Sequence, residues 1–183
     1  MHDQQLSEFK LPKNFRGRNA IIVQLWWLVQ ALFFRTSPQF LYGYRRFLLR
    51  MFGASIGKKV IIRPSVKITY PWKVIIGDYS WIGDDVVLYS LGDIVIGNNV
   101  VISQKSYICS ASHDYLQSDF PIFAKKNSIE DGCWLATDVY VAPGVTIGKG
   151  SVIGARSSVY KDVIPNKICV GNPAKIIRDR KID

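Results

Sequence analysis

The sequence predicts a mainly β fold, a coil of short parallel strands preceded by short N-terminal helices, and three observations carry that prediction. An aliphatic residue recurs every six positions from Ile56 onward, a glycine often follows it at once, and the basic residues crowd into the start of the chain. A period of six matches neither the 3.6 of an α-helix nor the 2 of a strand, so each repeat reads as a short strand plus a turn.

The N-terminal extension, residues 1–54, comes first. The chain of 183 residues suits one main domain with an appendage. Its net charge of +10 is unevenly spread: residues 1–59 hold ten Lys or Arg against Asp3 and Glu8, whereas the rest holds 14 against 12. Basic residues interleaved with Trp, Phe and Leu suit an anionic membrane surface, at roughly 1 kcal/mol per well-placed cation. No nucleic-acid-binding motif accompanies the charge, so nucleic acid is not an expected partner. The most apolar stretch, Ala20 to Phe34, contains Gln24 and Gln30 and is shorter than the roughly 20 residues a spanning helix needs. It reads as one helix, and a second is expected from Pro38 to Phe52, with Ser37 as N-cap, Pro38 in the first turn and Gly53 at C′. Cys109, Cys133 and Cys169 form no CxxC pair, and MHDQQLSEFK lacks a signal-peptide pattern, which points to a reduced, cytoplasmic protein, possible contact being with the inner leaflet.

The repeat occupies residues 55–165. Its register runs Ile56, Ile62, Ile68, then after a two-residue insertion Ile76, Ile82, Leu88, and after another Ile96, Ile102, Ile108. Past an excursion over residues 114–128 it resumes as Ile129, Leu135, Val141, Ile147, Ile153 and Val159, with Cys133, Val139, Val145, Ser151 and Ser157 four positions behind. Three such steps close a triangular rung whose aliphatic residues point to the axis, and rungs stack at the ~4.8 Å spacing of paired strands. Gly57, Gly77, Gly83, Gly97, Gly148 and Gly154 are expected to relax the corners. Residues 166–183 form a tail in which Gly171, Asn172 and Pro173 read as a turn.

With this repeat and the segment DGCWLATDVYVAPGVTIGKGSVIGARSSVYKDVIPNKICVGNPAKIIRDR, the chain resembles the hexapeptide-repeat acyltransferases, most closely their colanic-acid-biosynthesis O-acetyltransferase branch, over roughly residues 40 to 180. The resemblance implies a left-handed β-helix, a homotrimer with active sites between subunits, and acetyl-CoA as co-substrate. It implies transfer of acetyl to a saccharide hydroxyl, in exopolysaccharide or other cell-surface glycan biosynthesis.

Such chemistry needs a base, and the sequence holds two imidazoles, His2 near the terminus and His113 in ICSASHDYLQ. His113 stands where the repeat breaks, the position at which the family carries its catalytic histidine. A neutral imidazole can remove the proton of an attacking hydroxyl, a contribution of about 10² to 10⁴ in rate. Asp114 and Asp119 are candidates to orient the ring, Asp114 also to meet the acceptor.

By the same resemblance Trp134 of CWLA walls the acyl channel, although an outward residue at a subunit interface is an equal reading. Thr137 offers its backbone N–H to the developing oxyanion. Ser103 of VISQK, Ala155 of IGARS and the Tyr160-Lys161 pair of VYKD match positions along the CoA groove. Lys175 and Arg178 of GNPAKIIR match those that meet the nucleotide phosphates. The family's galactoside and maltose enzymes carry an asparagine in the acceptor pocket where this chain reads WIGDDVVLYS, so Asp84 or Asp85 is a candidate there, though paired aspartates in a turn are often simply solvated.

No metal is expected, because a zinc enzyme on this fold would need three histidines and the coil holds one. The alternatives are an antibiotic O-acetyltransferase, which shares the histidine position, and a structural β-helix without activity.

Overall fold

The computed structural model describes residues 3–181, and His2 lies outside them. From Ser55 the chain winds as the expected left-handed parallel β-helix with three faces. Face A stacks Ser55–Ile56, Val74–Ile76, Ile94–Ile96, Asn127–Ile129 and Thr146–Ile147. Face B stacks Ile61–Ile62, Trp81–Ile82, Val101–Ile102, Trp134–Leu135, Val152–Ile153 and Lys167–Gly171, and face C stacks Lys67–Ile68, Val87–Tyr89, Tyr107–Cys109, Tyr140–Val141 and Ser158–Val159. The six-residue register is the inward register: every aliphatic residue in it, from Ile56 to Val159, is at most 7 % exposed. Burial of each contributes roughly 1.5–3 kcal/mol.

A second inward column stands four positions behind the first, and where it is serine it stitches coils together. Ser80 Oγ donates to the Gly97 carbonyl at 2.7 Å and accepts from the Val100 N–H at 3.0 Å. Ser106 does the same toward Ala136 and Val139. A hydroxyl there satisfies two backbone groups that the axis would otherwise leave without water.

The glycines have a different role from the one expected. Those that follow the aliphatic residues keep ordinary φ, and the left-handed corners are taken instead by residues such as Lys59, Tyr79, Asp85, Asn99 and Asp138. What demands glycine is close approach: a Cβ on Gly77 would stand 2.6 Å from the Gly97 carbonyl carbon and 2.7 Å from the Asn98 nitrogen of the next coil.

A coil leaves its first rung without a neighbour below, and the N-terminal helices close that end. α1 (Ala20–Val29) starts at Asn19, whose side chain accepts from the Ile22 N–H, and runs on as a π-turn, Gln30–Phe34. It buries Val23, Trp26 and Phe34; the Trp26 indole donates to the Ile68 carbonyl at 2.8 Å and the Gln30 side chain accepts from the Ile68 N–H at 2.7 Å. α2 (Tyr42–Met51) sends three arginines to the same edge: Arg45 to the Ile62 carbonyl, Arg46 to Val60, Arg50 to Ile56.

α2 is shorter than expected. Ser37 is not its N-cap, because its hydroxyl donates to the Phe34 carbonyl and accepts from the fully buried Arg45. The same guanidinium takes the carbonyls of Pro38 and Gln39, which holds residues 37–41 in turns. Without a carboxylate partner, desolvation pushes the Arg45 guanidinium below its ordinary pKa. Gly53 does close the helix at φ +91°, with Gly53 N–H to the Arg50 carbonyl and Ala54 N–H to Leu49.

The excursion is a hairpin, Ala111–His113 paired antiparallel with Ile122–Ala124, so it opens before residue 114 and the chain is back on face A at Asn127. At the other end of the coil the tail adds Lys167–Gly171 to face B and folds back as Ala174–Asp179, with Gly171 to Pro173 in the turn. No helix among the described residues is long and apolar enough to cross a membrane.

Arg45→Met should lower stability by about 3 kcal/mol or more, since several buried carbonyls lose a charged donor. At this chain length that is about 10 °C in Tm by calorimetry. All three cysteines are free and buried, and burial pushes the Cys133 thiol up to about 11. Iodoacetamide at pH 8 should therefore label none of them in the native protein and all three in denaturant, as read by mass spectrometry.

Candidate functional site

His113 ends the first strand of the excursion hairpin, half-buried. Its ring lies flat on Phe120, centroids 4.2 Å apart and 8° from parallel, and Phe9 from the N-terminal segment approaches at 5.8 Å. His113 Nδ1 meets the Phe120 carbonyl at 2.8 Å. A carbonyl only accepts, so in the neutral ring Nδ1 carries the proton and Nε2 keeps its lone pair.

Neither aspartate orients the ring. The Asp114 carboxylate accepts from Leu116 N–H and the Gln117 amide, bonds that hold it below the usual carboxylate range, while its own N–H joins the Pro121 carbonyl. The structure thus adds Phe120 and Phe9 to the surroundings of His113. A backbone carbonyl leaves no trace in sequence, and Phe9 lies about a hundred residues away.

A second group of predicted residues gathers at the corner between faces B and C. Thr137 and Ala155 take equivalent places on successive coils and Ser103 stands one position earlier, beside Ala136, the coils being tied by Ser103 N–H to Leu135, Ala136 N–H to Ile153 and Arg156 N–H to the Thr137 carbonyl. The Thr137 N–H donates to no group among the described residues. Trp134 stands on the outer side of face B, half exposed, with its indole N–H on Ser103 Oγ at 3.1 Å.

Register extends this line: Trp134 faces Val152, Val152 faces Ile168 and Ile168 faces Arg178. Arg178 therefore sits three strand spacings, about 14 Å, along face B from Trp134. Lys175 lies on the same last strand, exposed. An apolar strip that begins at a hydrogen-bonded indole and ends at cations suits an extended ligand with an anionic end.

Tyr160 and Lys161 do not join that group. They follow Ser158–Val159, so they leave face C at its other corner, on the side from which the His113 hairpin departs. Asp85 takes a left-handed turn conformation and its N–H donates to Ser65. Asp84 is engaged by Arg63 at 2.9 Å. Beside that ion pair, Tyr42, Trp81, Ser103 and Gln104 line a cavity of about 360 Å³ below Trp134. Trp81, Arg63 and Tyr42 were not singled out from sequence; the outward aromatic at Trp81, in register through Val101 with Trp134, is the signal that points to them.

Within one chain the two groups stand apart. His113 leaves the corner after Tyr107–Cys109, Thr137 the corner before Tyr140–Val141, and face C lies between them.

Comparison with known proteins places this geometry. The bacterial transferase hexapeptide (six repeats) family matches residues 128–161. WcaF of Escherichia coli (strain K12), a candidate colanic acid biosynthesis acetyltransferase, is 64 % identical over 177 residues, 97 % of either chain. Among solved structures, a maltose O-acetyltransferase of Clostridium difficile 630 superposes with a TM-score of 0.81 at 26 % identity, covering 90 % of each chain. A hexapeptide-repeat acetyltransferase of Vibrio cholerae O1 biovar eltor, complexed with acetyl coenzyme A, gives 0.81 at 28 % identity, covering 91 % of this chain and 92 % of that one. By its repeat and by its identity across nearly the whole length, the chain belongs to the hexapeptide-repeat acetyltransferases.

Proposed function

We propose that the enzyme transfers acetyl from acetyl-CoA to a hydroxyl of a saccharide, in the assembly of an exopolysaccharide or another cell-surface glycan, by direct attack with His113 as general base. The observation that carries this is the hydrogen bond from His113 Nδ1 to the Phe120 carbonyl. It leaves Nε2 as the acceptor for a hydroxyl proton, and the flat stack on Phe120 limits rotation of the ring. The glycan context is supported by the identity with WcaF.

Acetyl-CoA supplies an activated thioester carbonyl, and the residues present fit it. Trp134 and Ser103 wall the acyl end, and the Thr137 N–H is free to receive negative charge on the carbonyl oxygen. Lys175 and Arg178, at the far end of the face B strip, are placed for phosphates. His113 Nε2 takes the proton as the hydroxyl oxygen attacks, and the same nitrogen, now protonated, is the acid for the departing sulfur. No acyl-enzyme is required. The cavity beside Trp81 and Asp84 is where the saccharide fits: an aromatic face for the sugar ring and carboxylate and amide oxygens for its hydroxyls.

The separation of His113 from the Thr137 corner in one chain is met by a trimer. A site between two copies joins the hairpin of one to face B of the next, and Tyr160 and Lys161 then approach the neighbour's groove. This supports the inter-subunit arrangement that the family resemblance implies.

The test is CoA release from acetyl-CoA with free and lipid-linked saccharide acceptors. Folded His113→Ala should lose about 10² to 10⁴ in kcat, whereas Asp114→Asn should stay within a few-fold of the parent. Retention of activity in His113→Ala to within tenfold would remove the base from the mechanism. Arg178→Ala should raise KM for acetyl-CoA about fivefold with kcat unchanged, the loss of about 1 kcal/mol expected of an exposed cation.

A further inference from the structure

The first of the helices that close the coil, α1, is apolar on both sides. α1 and its π-turn bury Trp26 and Phe34 against the core of the coil and Val23 against Tyr70, Leu91 and Ala111, yet the opposite stripe, Ile21, Leu25, Leu28 and Leu32, is 48 to 78 % exposed. These four follow each other at helical spacing, so they form one continuous band. Trp27 and Phe33 flank it, and Phe40, Phe47 and Met51 are exposed on and before α2. An outward aliphatic band of this length is not explained by the capping of the coil, which uses the other face.

Charge surrounds the band. Lys10, Lys13 and Arg18 are exposed before α1 and Arg35 is exposed behind it. Between α1 and face C, Trp27, Gln30, Arg35, Lys67 and Thr69 line a groove of about 300 Å³, with two cations, an indole and a hydroxyl at its walls. The acidic residues of the first 59 positions are Asp3 and Glu8 alone.

We infer that this face lies on an anionic lipid surface, with the α1 band entering the acyl boundary and the Arg35–Lys67 groove taking a lipid phosphate. The helical run from Ala20 to Phe34 is about 22 Å long, too short to span a hydrocarbon core of about 30 Å but suited to lie in the interface plane. Charge selects lipid over a two-fold contact of this face with its own copy, which would bring two strongly basic surfaces together, and an anionic surface complements the cations around the band where the nearly neutral remainder of a neighbouring copy does not. The aliphatic band selects lipid over nucleic acid, since it offers nothing to a phosphate backbone or to base edges. Membrane attachment is independent of the transfer chemistry and stands or falls separately from it.

The experiment floats the full-length protein with vesicles of phosphatidylcholine alone and with phosphatidylglycerol added, at low and high salt. The parent should float with the anionic vesicles and be released by salt. The exposed triple variant L25E/L28E/L32E, folded by its melting curve, should lose at least tenfold in bound fraction, and R18E/R35E about fivefold per cation. Ile164→Glu, an exposed site on the last coil, at the opposite end from the helices, should float like the parent. Three results would overturn the inference: a parent that stays with neither vesicle, a band variant that floats as well as the parent, or a folded band variant whose sedimentation mass changes, which would make the band a contact between copies.

Discussion

Along the walls of the coil, backbone N–H groups donate to the coil beside them, as Gly57 does to Ile76, Gly77 to Ile96 and Gly97 to Ile129, all at 2.8 Å. This stacking is the constraint from which the rest of the molecule follows. A strand on any face has to arrive in register with its neighbour, so extra residues can be discharged only at a corner. The two-residue insertions after Ile68 and Leu88 and the long hairpin after Cys109 all obey this. His113 and Thr137 therefore stand at corners, while the faces between them carry outward side chains in straight columns. The column from Trp81 to Arg178 on face B is such a line, produced by strand register alone.

The same constraint explains why the fold was legible in the sequence. Ile, Leu and Val at a spacing of six have one arrangement that buries all of them, and the burial of Ile56 through Val159 is that arrangement. The placement of Ser103, Thr137 and Ala155 at one corner could be read too, because position within the repeat fixes position on the triangle. Features that depend on one group meeting another across the chain were not readable. The start of α2 moved because a buried arginine collects the carbonyls of the residues expected to form its first turn. The partner of His113 is a carbonyl, which every residue has. The reason for the glycines was hidden for a similar cause: their neighbour is the next coil, some twenty residues on, and contact with it leaves φ ordinary.

The N-terminal segment ties these levels together. Its helices finish the hydrogen bonding of the first rung, while the stretch before them reaches the excursion, with Gln5 N–H on the Ser118 carbonyl and Phe9 beside the His113 ring. The first fifty residues thus contribute to the stability of the coil and to the surroundings of His113.

A row of unpaired strand edges is a template on which further strands can grow. In this chain the exposed edge would be a whole triangular rung, ready to accept another coil of the same shape. The indole of Trp26 and the guanidinium groups of Arg45, Arg46 and Arg50 occupy that template with side-chain donors, which pair its carbonyls without offering a new edge. They act as a chain terminator for β-sheet growth. A protein whose helices are detached from the coil should for that reason pair with a second copy through the opened end, and go no further, because the tail still covers part of the other end.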